Sequence, residues 1–151
     1  MKPYLFIFIV SVCVVIVVHY LEYIGFTPCQ LCIYQRWPWY LIIFLSLISI
    51  FYNKKIYPYN KFIIFLFFVG STAYAGWHAG IEWAFWEGPS TCTTGTNKID
   101  SHDNLLENIQ NIQSFVPCNE ASFRFLGISL AGYNFISSLI MSIYTFFIVK
   151  E

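Results

Sequence analysis

The sequence predicts an all-α membrane protein, a four-transmembrane-helix bundle. Of the 151 residues, 58% are hydrophobic and only 11% are charged, which is too apolar for an ordinary soluble domain. A helix that spans a membrane needs about 20 apolar residues, and four stretches approach or reach that length. The formal net charge is zero and like charges form no run, so nothing indicates nucleic-acid binding. We therefore expect a single integral membrane domain over residues 1–151.

The four helices are expected over residues 4–21, 28–52, 62–81 and 127–149. Two loops, residues 22–28 and 83–126, then lie on one side of the membrane, and the loop 53–61 lies on the other. The first apolar run follows Lys2 but is long and ends without a small-residue cleavage site, so we expect it to remain as a helix. Pro38 lacks a backbone N–H and is expected to kink the second helix just past Arg36.

The distribution of basic residues predicts the orientation of the bundle. Five lysines fall on one side, whereas seven of the eight acidic residues fall on the other side, apart from the C-terminal Glu151. The lysines are Lys2, Lys54, Lys55, Lys61 and Lys150. The positive-inside rule therefore predicts that both termini are cytoplasmic and that the loops 22–28 and 83–126 face outward.

Two cysteines three residues apart begin the second helix, in the segment TPCQLCIYQRW. Thr27 is a good N-cap and Pro28 a good first helical residue, so the cysteines are expected in the first turns, at the positive end of the helix dipole. Arg36 follows Cys32 by four residues and is expected on the same face. Free amides and a nearby cation both favour a thiolate, so Cys29 and Cys32 are candidates for thiol chemistry.

The sequence does not determine how the cysteines pair or what the pairs do. Spacing suggests pairing Cys29 with Cys32 and Cys92 with Cys118, but four cysteines permit three connectivities. No metal is expected, because the second pair is widely spaced and no HxxxH motif accompanies it. A structural disulfide is the main alternative, more so for Cys92 with Cys118 than for the short loop between Cys29 and Cys32. Cys13 lies among Val and Ile and is expected to pack inside the bundle.

Two histidines lie near the outer ends of predicted helices. An ionisable residue within a membrane is a functional candidate, and His78 qualifies. The alternative is a histidine that hydrogen-bonds Glu82, one turn later on the same face. His19 is interpreted as an interfacial residue. A haem held by His19 and His78 is conceivable, although the sequence contains no haem motif.

Three segments resemble the disulfide bond formation protein B (DsbB) family of bacterial inner-membrane oxidoreductases. CQLCIYQR is similar to the CxLCxxxR signature of that family. AGWHAGIEWAFWEGPSTC is similar to the end of its third helix and the start of its second periplasmic loop. VPCNEASFRFLGISLAGYN is similar to the end of that loop and the start of its fourth helix. The resemblance covers essentially the whole chain.

The resemblance implies a path for electrons. A periplasmic DsbA-like thiol oxidase would be re-oxidised by this chain, and the electrons would pass to a membrane quinone, either ubiquinone or menaquinone. Cys92 and Cys118 match the loop pair that meets the reduced partner. Cys29 and Cys32 match the pair beside the quinone, and Cys118 would attack Cys29 so that the electrons reach Cys32.

The resemblance also assigns two candidate quinone-binding residues and a location. Arg36 matches the arginine that supports the quinone-reactive state of Cys32, and His78 is placed near the quinone. The protein would be a multi-pass protein of the bacterial inner membrane, with its active cysteines on the periplasmic side.

In the loop 83–126, Asp103 or Asn104 is expected to cap a short amphipathic helix that rests on the membrane surface.

Two alternative functions come from other classes. The chain could be a non-catalytic four-helix membrane protein whose external loops are held by disulfides, or an electron-transfer protein that carries haem. A structural disulfide needs no cation one turn from its cysteine, so Arg36 favours the oxidoreductase.

Overall fold

The computed structural model describes residues 2–51, 57–89, 92 and 117–150. Within these ranges the chain forms helices and one short β-hairpin. The helices are α1 (Lys2–Tyr23), α2 (Gln30–Tyr34), α3 (Trp37–Phe51), α4 (Tyr57–Glu82) and α5 (Leu130–Lys150), and the hairpin strands are β1 (Arg124–Phe125) and β2 (Ile128–Ser129). The expected amphipathic helix of the loop 83–126 lies outside the described residues.

Within the described ranges, four segments are long and apolar enough to cross a membrane. They are α1, the combined span Gln30–Phe51, α4 and α5. The predicted four-transmembrane-helix bundle is therefore confirmed, and the chain is a multi-pass membrane protein. Helix α4 packs mainly on α5, and α1 packs mainly on α3.

A small core lies within the bundle and large apolar side chains cover its outside. Trp39 and Phe68 meet edge to face in this core with ring centroids 5.6 Å apart, and Ile42 and Ile64 are fully buried beside them. On the outside, Phe147 is 62% exposed. Large exposed apolar side chains are expected where lipid, rather than water, surrounds a helix.

The second span is interrupted where its polar residues lie. Helix α2 ends at Tyr34, and Gln35 and Arg36 form a turn before α3 begins at Trp37. Pro38 cannot donate the hydrogen bond that a continuous helix would need at this point. The predicted kink is thus an interruption of the helix, and it frees Gln35 and Arg36 to point to different neighbours.

The start of the second span corrects one expectation. Helix α2 begins at Gln30, and its N-cap is Cys29, whose Sγ accepts the backbone N–H of Cys32 at 3.2 Å. The prediction that Thr27 is the N-cap is wrong. Thr27 is the better capping residue by type, but it is exposed, whereas Cys29 is buried against the neighbouring helix. Tertiary packing therefore determines where the helix starts.

A tight hairpin leads into α5. Leu126 and Gly127 both have positive φ, 50° and 82°, as a type I′ turn requires. Ser129 then caps α5, because its Oγ accepts the N–H of Gly132 at 3.1 Å. The fourth helix thus starts at Leu130, three residues later than the expected start at residue 127, because the turn and β2 occupy the intervening residues.

The chain folds back after α4. Ala84 adopts a positive φ of 58°, and the indole of Trp86 lies directly on Gly80 and donates to the carbonyl of Trp77 at 2.9 Å. A Cβ on Gly80 would overlap the Trp86 ring. This close approach directs the chain from α4 toward Cys92.

We predict that Gly80→Ala destabilises the protein, because the added methyl group must displace Trp86. The expected loss is about 1–3 kcal/mol, the usual cost of overpacking. Gly70→Ala is the matched control, because it lies on the same helix and its added methyl group meets no atom within 4 Å. Unfolding of both variants in detergent, followed by tryptophan fluorescence, measures the difference. Equal stability of the two variants would contradict the packing described here.

Candidate active site

Four of the five cysteines lie in one buried cluster at one end of the bundle. Cys92 and Cys118 are joined by a disulfide, with their Cα atoms 5.5 Å apart. Cys29 packs with them in the same cluster, and Cys32 lies at its edge. The backbone also holds the pair in place, since the N–H of Cys118 donates to the carbonyl of Cys92 at 3.0 Å. Sulfurs that are far apart in the sequence are therefore neighbours in space.

Cys29 is the most enclosed free thiol. Its Sγ lies 2.7 Å from the Sγ of Cys32 and 3.5 Å from the Nε2 of His78. Only 2% of its surface is exposed. Disulfide exchange needs sulfur atoms that can approach one another closely, and this arrangement supplies that proximity.

The surroundings of Cys29 favour its thiolate. They lower its pKa from the ordinary value of 9.0 to about 5. The largest cause is a hydrogen bond from the Cys32 thiol, and further hydrogen bonds come from the His78 ring and the Cys32 backbone; burial opposes them by penalising the charge. The sequence attributed a depressed pKa to free amides at the helix N-terminus and to Arg36. The Cys32 backbone N–H is such an amide and does donate to the Cys29 sulfur, whereas the other donors are the Cys32 thiol and the His78 ring rather than Arg36.

Cys32 faces a different space. It lines a cavity of about 540 Å³ between α1, the α2–α3 span, the segment before α5 and α5 itself. Most of the lining is apolar, and it includes Val14, Val18, Leu21, Trp39, Phe123 and Leu130. Polar groups enter it from Gln35, Arg36 and Asn134. This volume and chemistry are typical of a site for a small apolar molecule that a few polar groups orient.

Arg36 lies beside this cavity and is paired. Its Nη1 donates to Glu22 Oε2 at 2.6 Å, and its side chain is only 13% exposed. The sequence placed Arg36 near Cys32, and the two residues do line the same cavity. The pairing with Glu22 was missed, because no local pattern links residues that lie 14 positions apart in separate membrane-spanning segments.

His78 lies inside the bundle, next to Cys29. It is fully buried, and its Nε2 is 3.8 Å from Glu82 Oε1, which is too long for a hydrogen bond. Its Nδ1 instead contacts the side-chain nitrogen of Gln35 at 2.8 Å. The sequence predicted a place near the quinone or a hydrogen bond to Glu82 for His78. Neither interpretation included Cys29 or Gln35 as its neighbours. His78 is not among the described residues that line the large cavity.

The remaining candidates occupy other surroundings. His19 is exposed; its Nδ1 donates to the carbonyl of Val15 at 2.8 Å, and its Nε2 accepts from Tyr40 at 3.2 Å. Both ring nitrogens are therefore engaged, and nothing in this arrangement favours haem binding. Cys13 was expected to pack inside the bundle, but it is exposed on α1 and borders the cavity.

Three side chains could hold a metal ion. The ligand atoms of Cys29, Cys32 and His78 all lie within 4.8 Å of one another. The sequence argument against zinc considered cysteine spacing and the lack of an HxxxH motif, and it did not include a single histidine contributed by α4. The same closeness of two sulfurs and an imidazole also suits thiol chemistry.

Comparison with known proteins identifies a family. The family described as disulfide bond formation protein DsbB matches residues 2–148. A protein of Rickettsia prowazekii (strain Madrid E), described as an uncharacterized protein, is 25% identical over 126 residues, which cover 82% of this chain and 72% of the relative. No solved structure matches the chain.

We predict that the alkylation rate of reduced Cys29 is nearly constant from pH 6 to 8 and falls by half near pH 5, because the thiolate is the reactive form. In Cys32→Ala the main hydrogen bond is lost, so the midpoint should rise toward 9, the ordinary value. Iodoacetamide labelling followed by peptide mass spectrometry measures both profiles. Ile16→Ala, on the exposed side of α1, is the control. A wild-type midpoint near 9 would contradict the proposed surroundings of Cys29.

Proposed function

The chain belongs to the DsbB family of disulfide-generating membrane oxidoreductases, and from this premise we propose that it oxidises a DsbA-like thiol oxidase and delivers the electrons to a membrane quinone. The observation that carries the proposal is the division between the two free cysteines. Cys29 packs against the Cys92–Cys118 disulfide, whereas Cys32 lines the apolar cavity. One sulfur is thus suited to exchange with protein thiols, and the other to reaction with a small apolar acceptor.

The cavity suits a quinone. A quinone ring is flat and apolar with two carbonyl oxygens, and the lining combines aliphatic and aromatic surface with a few polar groups. Arg36 is the fixed cation at its edge, and we assign it the role of orienting a carbonyl oxygen and favouring negative charge near Cys32. A bound quinone supplies a two-electron, two-proton acceptor, ubiquinone or menaquinone.

The loop disulfide is the proposed entrance for electrons. The thiolate of the reduced partner attacks Cys92, the bond between Cys92 and Cys118 breaks, and Cys118 leaves as a thiolate. Cys118 then attacks Cys29 in a Cys29–Cys32 disulfide, which releases Cys32 as a thiolate beside the cavity. The second thiol of the partner attacks the partner sulfur that is bonded to Cys92, which releases the partner as a disulfide and Cys92 as a thiolate. Each step exchanges one sulfur–sulfur bond for another, so the two electrons move from the partner toward Cys32 without an external reagent.

The energetics favour a quinone as the final acceptor. A DsbA-type protein is a strong oxidant, with a potential of about −120 mV, so glutathione cannot keep it oxidised. A quinone dissolved in the bilayer can do so, and Cys32 lies in a membrane-spanning segment. We accordingly propose the bacterial inner membrane as the location, with both termini cytoplasmic and the cysteine cluster on the periplasmic side.

We predict that Cys32→Ser lowers quinone-dependent oxidation of a reduced DsbA-type protein at least about 100-fold, because a hydroxyl cannot form the sulfur bonds that the reaction needs. The assay uses purified protein in proteoliposomes with ubiquinone or menaquinone analogues and follows loss of partner thiols together with quinone absorbance.

Thr145→Ala is the control for this assay, because Thr145 lies near the other end of α5 and bonds only within its own helix, to the carbonyls of Met141 and Ser142. It should keep wild-type activity. Full activity in Cys32→Ser would refute the mechanism. Absence of thiol oxidation in the wild type with either quinone would instead favour the non-catalytic alternative with structural disulfides.

A further inference from the structure

We propose that a one-way chain of hydrogen bonds, from Trp39 through Asn134 and Gln35, holds His78 as the neutral tautomer whose Nε2 proton faces the Cys29 sulfur. In this role Gln35 and Asn134 are positioning residues, and His78 is the group that stabilises Cys29 when it leaves as a thiolate. The inference rests on the proposed function for its catalytic consequence, but the direction of the chain follows from the side chains alone.

The indole of Trp39 determines the direction of the hydrogen-bond chain. The Nε1–H of Trp39 lies 2.8 Å from Asn134 Oδ1. An indole nitrogen can only donate, so the atom of Asn134 that faces it must be the oxygen. This assigns the two ends of the Asn134 amide, because its NH₂ group must then point away from Trp39.

The amide of Asn134 determines the next link. Its Nδ2 donates to Gln35 Oε1 at 2.9 Å, so the oxygen of the Gln35 amide is the atom that faces Asn134. The NH₂ group of Gln35 is left to face His78 Nδ1 at 2.8 Å. An amide NH₂ has no lone pair to offer, so Nδ1 of His78 must accept.

The tautomer of His78 follows. A neutral imidazole whose Nδ1 accepts carries its proton on Nε2, and Nε2 lies 3.5 Å from the Cys29 sulfur. Glu82 Oε1 lies 3.8 Å from the same nitrogen, which is too far to accept a hydrogen bond. Among the described residues, the titratable groups that interact with Cys29 or His78 are Cys32, Tyr74 and Glu82, and Arg124 interacts in turn with Glu82.

The interruption of the second span makes this link possible. Gln35 is the C-cap of α2, and it lies in the turn before α3 rather than on the face of a continuous helix. It is 6% exposed, and its amide joins α4 to α5. The residue between the cysteine motif and Arg36 therefore sets the orientation of an imidazole on another helix.

The catalytic consequence concerns the step in which the Cys92–Cys118 disulfide forms again and Cys29 is released. Once Cys118 is bonded to Cys29 and the second thiol of the partner has released Cys92 as a thiolate, attack by that thiolate on Cys118 forms the Cys92–Cys118 bond and breaks the Cys118–Cys29 bond. The electron pair stays on Cys29, which leaves as a thiolate. The Nε2–H of His78 is positioned to donate to that sulfur, and a stabilised leaving thiolate departs faster.

The direct test is nitrogen NMR of the full-length, reduced protein labelled with ¹⁵N-histidine, in detergent micelles. The chain contains only three histidines, and His78→Phe identifies the signal of His78 by its loss. We expect a protonated Nε2 and an unprotonated Nδ1 for His78 at neutral pH. A protonated Nδ1, or rapid exchange between the tautomers, would overturn the proposal.

Gln35→Met tests the positioning role. Methionine has a similar length and no donor, so His78 should lose its single tautomer, and the Cys29 alkylation midpoint should shift upward with an about tenfold lower labelling rate near pH 5. Gln30→Met is the matched control, because the same change is made on the exposed side of the same short helix. Equal profiles for the two variants would overturn the role of Gln35.

The two proposals fail in different ways. The NMR and labelling measurements need neither quinone nor partner protein. A locked Nε2–H tautomer in a wild-type protein that does not oxidise thiols would count against the proposed function alone. Normal quinone-dependent turnover with His78 protonated on Nδ1 would count against this inference alone.

Discussion

The structure depends on hydrogen bonds among a few large polar side chains that are buried in an apolar bundle. Inside a membrane an unpaired amide, indole or imidazole is costly, because no water can replace a missing partner. Trp39, Asn134, Gln35 and His78 meet this need by bonding to one another, and the last of them contacts Cys29. The same set of contacts joins α3, α5 and α4 and holds the start of α2 in place. One end of the hydrogen-bonded set that holds the helices together, His78, is thus also a neighbour of the reactive sulfur.

This pairing gives two neighbouring thiols unlike surroundings. Cys29 is enclosed by His78, Cys32 and the loop disulfide, whereas Cys32 borders an apolar cavity together with Arg36. A continuous helix would place two cysteines three residues apart in similar surroundings near one face. Cys29 is the N-cap with an extended backbone, whereas Cys32 lies inside α2, and this difference removes that similarity. The interruption after Tyr34 adds Gln35, which bonds the imidazole next to Cys29. Separate roles for the two sulfurs are therefore a consequence of how the second span begins and breaks.

The sequence predicted the features that arise from composition and local pattern. Four apolar runs gave the four spans, and Pro38 marked the break in the second one. The partners of the site residues could not be predicted in this way. Gln35 and Asn134 are 99 positions apart, and Arg36 and Glu22 lie in different membrane-spanning segments. Which of many polar residues meet across helices depends on helix rotation and depth, which no local pattern encodes.

The same limit explains the corrections. Thr27 has the better capping chemistry, yet the burial of Cys29 determines where α2 starts. Cys13 has apolar neighbours in the sequence, yet the rotation of α1 exposes it beside the cavity. In a helix that is apolar on every face, sequence alone does not indicate which face packs inward.

The central claim is that Cys29 exchanges bonds with the loop pair, and trapping tests it most directly. In the double variant Cys32→Ala, Cys92→Ala, neither Cys29 nor Cys118 retains its usual partner, and both belong to the same buried cluster. Mild oxidation followed by mass spectrometry of unreduced peptides should reveal a Cys29–Cys118 disulfide as the main product. Recovery of Cys29 as a free thiol, with Cys118 also free or bonded elsewhere, would contradict the account.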